Sequence, residues 1–128
     1  MITGFGELAL RVNDLPNMKA FYRDVVGLEI FDEPESWLVF FKIGEAIAGH
    51  PQLFALFHRD VEVGQPQTTL DHFAFLIDVE TYEAERDRLE SAGVAVHPKT
   101  FPRYHWRSLF FYDPEGNTVE FVTYDASV

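Results

Sequence analysis

The chain has no cysteine. That excludes a disulfide framework, a thiolate nucleophile and any zinc site built on sulfur, while leaving the compartment open. Positive charge is scarce as well: 10 Lys+Arg stand against 21 Asp+Glu, for a formal charge of −11. Such a field repels phosphate backbones and anionic lipid head groups, so neither nucleic acid nor a membrane surface is an expected partner. The plainest reading of the charge is solubility. Long hydrophobic runs are missing too, none approaching the roughly 20 residues that cross a bilayer. Met1 is followed by Ile-Thr-Gly-Phe-Gly-Glu rather than by a basic and then apolar leader, and a cytoplasmic protein is the resulting expectation.

What is present is apolar and aromatic. Hydrophobic residues make up 47% and aromatics 16% of 128 residues, with 13 Phe, enough for a packed interior and an apolar cavity. This length suits one domain, or two half-size units sharing a core, since either half alone would bury too little surface.

Residues 5–12 alternate so that Leu8, Leu10 and Val12 share one face and Glu7, Ala9 and Arg11 the other, as a strand requires. Asp14 offers an N-cap and Pro16 sits in a first turn. Apolar residues at Leu15, Met18, Phe21, Tyr22, Val25 and Val26, with Gly27 as a stop, predict an amphipathic helix over 15–26. Strands are expected near 28–32, 36–43 and 52–59, with Gly44 to Pro51 as the loop between the last two. The order then repeats: a strand at 70–77, a helix at 81–92 closed by Gly93, and strands at 94–98, 106–112 and 118–124. Asp113-Pro114-Glu115-Gly116-Asn117 supplies a tight turn between the last two strands. The expected division is a first unit over 1–60, a joint over 61–69 containing Gly64 and Pro66, and a second unit over 70–128.

The repeat has a register. Leu8-Ala9-Leu10 matches Phe73-Ala74-Phe75 at 73 − 8 = 65, Asp60 matches Asp125 at 65, and Gly27 matches Gly93 at 66. One offset with a single-residue slip points to duplication. It also makes Glu7 and His72 equivalent, each on the strand face turned away from its helix. Glu120, framed by Val119 and Phe121, is costly to bury without compensation. Each residue also has an ordinary reading: Glu7 solvated near a strand edge, His72 bonded to backbone, Glu120 paired with Arg11 or Arg107.

The runs Leu8-Ala9-Leu10-Arg11-Val12-Asn13-Asp14-Leu15, Ala20-Phe21-Tyr22, Gly27-Leu28 and Phe111-Tyr112-Asp113-Pro114-Glu115-Gly116-Asn117-Thr118-Val119-Glu120 resemble the vicinal oxygen chelate superfamily. That superfamily includes glyoxalase I, extradiol dioxygenases, fosfomycin-resistance proteins and bleomycin-resistance proteins. The resemblance covers nearly the whole chain and implies an α+β fold, two tandem β-α-β-β-β units forming a half-open barrel around a cleft. It implies metal ligands at Glu7, His72 and Glu120, with the remaining family position at 120 − 65 = 55, which is Ala55. Alanine binds no metal, and His58, three residues on, has the wrong strand parity to replace it. Fosfomycin-resistance proteins and extradiol dioxygenases resemble this pattern in using three of the four positions.

One imidazole and two carboxylates suit Mn, Fe, Zn or Ni as the divalent metal. The resemblance therefore implies a metal-dependent lyase, isomerase or dioxygenase acting on a small molecule that chelates the ion through adjacent oxygens. Glu120 or Glu7 would be the catalytic base. Ala55, Ser108, Phe110 and Tyr112 would line the cleft, Phe110 falling where several relatives carry Tyr. Tyr104, His105, Trp106 and Arg107 read as a packed strand entry. The family also implies a homodimer. The alternative is a metal-free binding protein resembling bleomycin-resistance proteins, which the charge of −11, the 13 Phe and Ala55 also suit.

Overall fold

The computed structural model describes residues 1–59 and 69–128. Most of the expected joint, with Gly64 and Pro66, and the Asp60 of the repeat comparison lie outside the described residues. The chain divides into two units, Met1–Gly64 and Gln65–Val128. Each is α+β with the order strand, helix, strand, strand, strand.

In the first unit β1 (Glu7–Val12) leads to α1 (Leu15–Ala20) and a π-helical segment (Phe21–Val26), then β2 (Glu29–Glu35), β3 (Leu38–Ile47) and β4 (His50–His58). The sheet order is β1-β4-β3-β2, with β1 parallel to β4 and the other pairs antiparallel. The second unit runs β5 (Phe73–Leu76), a 3-10 turn (Val79–Thr81), α2 (Tyr82–Ser91), β6 (His97–Phe101), β7 (Trp106–Tyr112) and β8 (Thr118–Tyr124). Its order, β5-β8-β7-β6, is the same plan.

The repeat survives at the level of hydrogen-bonded register. Leu8 faces Phe54 and Ala9 faces Ala55 across β1 and β4; adding 65 to each number yields Phe73 facing Val119 and Ala74 facing Glu120 across β5 and β8. Phe40 faces Ala55 as Phe110 faces Glu120. There the offset is 110 − 40 = 70 on β3 against 120 − 55 = 65 on β4, so the second hairpin is shorter by five residues.

Four local expectations need correction. The helix expected over 15–26 begins as foreseen, with the Asp14 carboxylate accepting from the Asn17 N–H at 3.1 Å, but its second half widens to π geometry. The Gly27 N–H reaches back to the Tyr22 carbonyl at 3.1 Å, and Gly27 ends the helix at φ 91°. The wider turn puts Tyr22 and Val26 into the core, while Phe21 and Val25, expected there, are half-buried. The Gly44 to Pro51 loop is instead mostly strand. Ala48 and Gly49, at φ 50° and 83°, form a two-residue turn whose twist matches the flanking strands. Gly44 marks the irregularity between Ile43 and Ile47.

The strand expected at 94–98 is His97–Phe101. The Val94 N–H is still bonded to the Leu89 carbonyl at 3.1 Å, so the helix end holds the chain past Gly93 before pairing begins. The strand expected at 70–77 pairs over Phe73–Leu76.

Both cores lie between helix and sheet. Leu10, Val12, Met18, Tyr22, Phe41, Phe54 and Leu56 fill the first, where the Tyr22 and Phe54 rings sit 4.7 Å apart. Phe73, Tyr82, Leu89, Leu109, Phe111, Val119 and Phe121 fill the second. Among the described residues no helix is long and apolar enough to cross a membrane.

Candidate metal centre in the second unit

Strand alternation divides the second sheet cleanly. Phe73, Leu109, Phe111, Val119 and Phe121 are buried in the helix-side core. The opposite face carries Ala74 beside Glu120, Glu120 beside Phe110, Ser108 beside Val122 and Tyr112 beside Thr118. His72 lies one residue before β5, at the edge of this face.

Here His72 and Glu120 meet. The imidazole Nε2 is 3.3 Å from Glu120 Oε1. The Glu120 residue is only 7% exposed, and its other oxygen, Oε2, accepts the Ser108 hydroxyl proton at 2.5 Å. On the far side of the ring, His72 Nδ1 is 2.6 Å from Asp71 Oδ2. The Phe110 ring stands edge-on to the imidazole, 5.8 Å between centroids, and Tyr112 is exposed farther along the same strand.

The ordinary readings fare differently. Arg107 is not the partner of Glu120: it lies on the other sheet face, bonded to Asp125 at 3.3 Å and Glu83 at 3.1 Å, and its guanidinium covers the Tyr82 ring at 3.9 Å. The polar contacts described for His72 are to the carboxylates of Asp71 and Glu120. Tyr82 donates its phenolic hydrogen to the Ser108 carbonyl at 3.0 Å. Burial pushes that phenol above its usual pKa, against the opposing pull of Arg107.

In the first unit Glu7 opens β1 and is exposed. Ala55 is fully buried, between Ala9 and Phe40 in the ladder, and offers no donor. His58 faces Val12 in that ladder, the parity expected of it. Among the described residues no three His, Cys, Asp or Glu side chains form a ready metal cage. What the second unit brings together is a pair of candidate donors, His72 and Glu120.

Two donors sharing one ion at about 2.1 Å each, at octahedral or tetrahedral angles, stand about 3.0–3.4 Å apart. The His72 to Glu120 separation of 3.3 Å fits that arrangement. An imidazole nitrogen and a carboxylate oxygen also suit a divalent metal of intermediate softness. Two contacts of these candidate residues escaped the sequence reading, Asp71 to His72 and Ser108 to Glu120. The first had a signal, an acid immediately before the candidate ligand. The second follows from the hairpin register, because a turn at Asp113 to Asn117 places Ser108 beside Val122, next to Glu120 on the same face.

The chain matches, over residues 4–121, the family model described as the Glyoxalase/Bleomycin resistance protein/Dioxygenase superfamily. It is similar to lactoylglutathione lyase from Agrobacterium tumefaciens, with 31% identity, 95% of this chain and 94% of that chain covered, and a TM-score of 0.74. An integron cassette protein from the mobile metagenome of the Halifax Harbour sewage outfall shows 27% identity, coverage of 95% and 99%, and a TM-score of 0.75. A variant of the fosfomycin resistance protein FosX from Listeria monocytogenes, complexed with Mn(II) and a dihydroxypropylphosphonic acid, shows 27% identity, coverage of 94% and 90%, and a TM-score of 0.69. With its signature residues, its twice-repeated β-α-β-β-β plan and this match over nearly its whole length, the chain belongs to the glyoxalase, bleomycin resistance and dioxygenase group of the vicinal oxygen chelate superfamily.

Proposed function

We propose that the protein is a divalent-metal-dependent enzyme that acts on a small molecule held through adjacent oxygens, as a lyase, isomerase or dioxygenase. The observation that carries this reading is the buried Glu120 carboxylate facing the His72 imidazole at 3.3 Å. His72 and Glu120 would hold the ion. Glu7 is included as the third ligand on its register equivalence to His72 and on the family pattern. The bound ion supplies Lewis acidity to a substrate oxygen.

The chain's own residues do the rest. Glu120, or Glu7 when free of the ion, accepts a proton from the substrate. Phe110 presents an apolar wall beside His72, and Ala55 and Tyr112 complete the proposed lining. The Mn(II) and dihydroxy ligand of the FosX complex are features of that relative, and they support the choice of an oxygen-rich substrate. A cytoplasmic homodimer is part of the same proposal.

The test is a melting curve with and without Mn²⁺, Fe²⁺, Zn²⁺ or Ni²⁺. An ion that binds only the folded chain raises the melting temperature in proportion to the logarithm of its free concentration above Kd. Glu120→Gln should remove that rise. A second reading, a metal-free binding protein for a bulky cation, is favoured by the donorless Ala55 at a family ligand position. If all four metals leave the curve unchanged and a bulky cationic ligand shifts it, that reading replaces the enzyme.

A further inference from the structure

Glu120 has two oxygens with different neighbours, and Ser108 is what makes them different. We infer that Ser108 is a positioning residue for the metal ligand Glu120: its hydroxyl holds Oε2 and so presents Oε1, beside His72 Nε2, as the single donor oxygen. This rests on the metal-dependent reading above.

Three observations carry it. Ser108 is fully buried, so water does not compete for its hydroxyl hydrogen. Its backbone is fixed in the β7 to β8 ladder opposite Val122, and its carbonyl is held by Tyr82 at 3.0 Å, which leaves the hydroxyl torsion as its main freedom. That hydroxyl is spent on Glu120 Oε2 at 2.5 Å, a short bond to an acceptor in a buried place, the strong kind of hydrogen bond.

A carboxylate with one oxygen occupied this way is a one-oxygen ligand of set direction, and its partner also offsets part of its burial cost. The contact between Asp71 and His72 has the same logic, since an Nδ1–H donated to Asp71 leaves the Nε2 lone pair free for an ion. Yet the Asp71 side chain is 94% exposed, and solvent screens its effect. Ser108 is therefore the stronger of the two.

The experiment measures affinity for Mn²⁺ alone by calorimetry, with the visible absorption of bound Co²⁺ as a report on coordination. Ser108→Ala should weaken Mn²⁺ binding about 10–100-fold, the usual cost of losing a ligand's hydrogen-bond partner, and should change the Co²⁺ spectrum. Ser108→Thr, which keeps the hydroxyl, should recover most of the affinity. Asp71→Asn should weaken binding less than Ser108→Ala does.

Leu89→Ala is the control for mere loss of stability: it thins the helix-side core of the second unit, on the sheet face opposite Glu120, and should leave Mn²⁺ affinity unchanged. Ser108→Cys, close in volume but a weak donor, takes the place of Ser108→Ala if circular dichroism shows that variant unfolded. Wild-type protein that binds neither Mn²⁺ nor Co²⁺ overturns the metal reading itself. Wild-type binding with an unchanged Ser108→Ala affinity and spectrum overturns the role of Ser108 alone.

Discussion

Asp113 shows what a single buried carboxylate does when its partners belong to the turn that follows it. It accepts from the Glu115 N–H at 2.9 Å, the Asn117 N–H at 2.9 Å and the Asn117 side-chain amide at 2.8 Å, closing the turn that sets the β7 to β8 register. Asp113→Ala leaves these half-buried donors without their acceptor, and should cost about 2 kcal/mol in denaturant unfolding. Tyr82 titrates on the alkaline side. Its phenol is neutral in the folded protein and its pKa is raised by burial, so the stability it contributes is complete below the unfolded pKa of about 10 and is lost as pH rises through the folded value. Wild-type protein should therefore lose more stability than Tyr82→Phe between pH 9 and 11, as read by urea midpoints at each pH.

At the scale of elements, the junction after the first helix carries the most local constraint. Gly27 has φ 91° and takes the Tyr22 carbonyl as acceptor, a left-handed stop in which a Cβ is strained. Gly27→Ala should destabilise by about 1 kcal/mol or slightly more, measured as a lower urea midpoint with an unchanged slope. The sequence foresaw this stop and the Asp14 cap, because both are chemistry of one or two residues. It did not foresee the π segment between them. Widening a turn sacrifices regular bonds for better packing of Tyr22 against Phe41 and Phe54, and the rings of Phe41 and Phe54 belong to strands far along the chain. The two-residue turn at Ala48 and Gly49 was missed for a related reason: a run with Gly44, Gly49 and Pro51 reads as loop, and only pairing with β4 carries the strand through the Gly44 irregularity.

For the whole molecule the expectation is linkage between metal and folding. An ion held at 100 times its Kd should stabilise the folded chain by about 2.7 kcal/mol, and Glu120→Gln combined with Glu7→Gln should abolish that gain, checked by melting curves over a series of Mn²⁺ concentrations. Sedimentation at micromolar protein should show a dimer; a monomer at every concentration counts against the assembly proposed above.

The register of the candidate residues was legible because strand geometry has a period of two and the repeat a fixed offset. From those two facts alone Glu7 falls opposite the helix as His72 does, Ala55 falls where Glu120 falls in the other half, and Ser108, Phe110 and Tyr112 share one face. The ladders place Ala9 beside Ala55 and Ala74 beside Glu120 in the same way. Which partner each polar atom takes was not legible. Arg107 and Ser108 are neighbours in sequence and both were near enough in number to serve Glu120, but alternation sends Arg107 to the helix side with Asp125 and Glu83 and Ser108 to the carboxylate. Periodicity by itself determined the faces, since it is a property of the local backbone. Only the tertiary structure decided the hydrogen bonds of Glu120, because a side-chain bond depends on distances of a few tenths of an ångström between strands that sequence spacing does not specify.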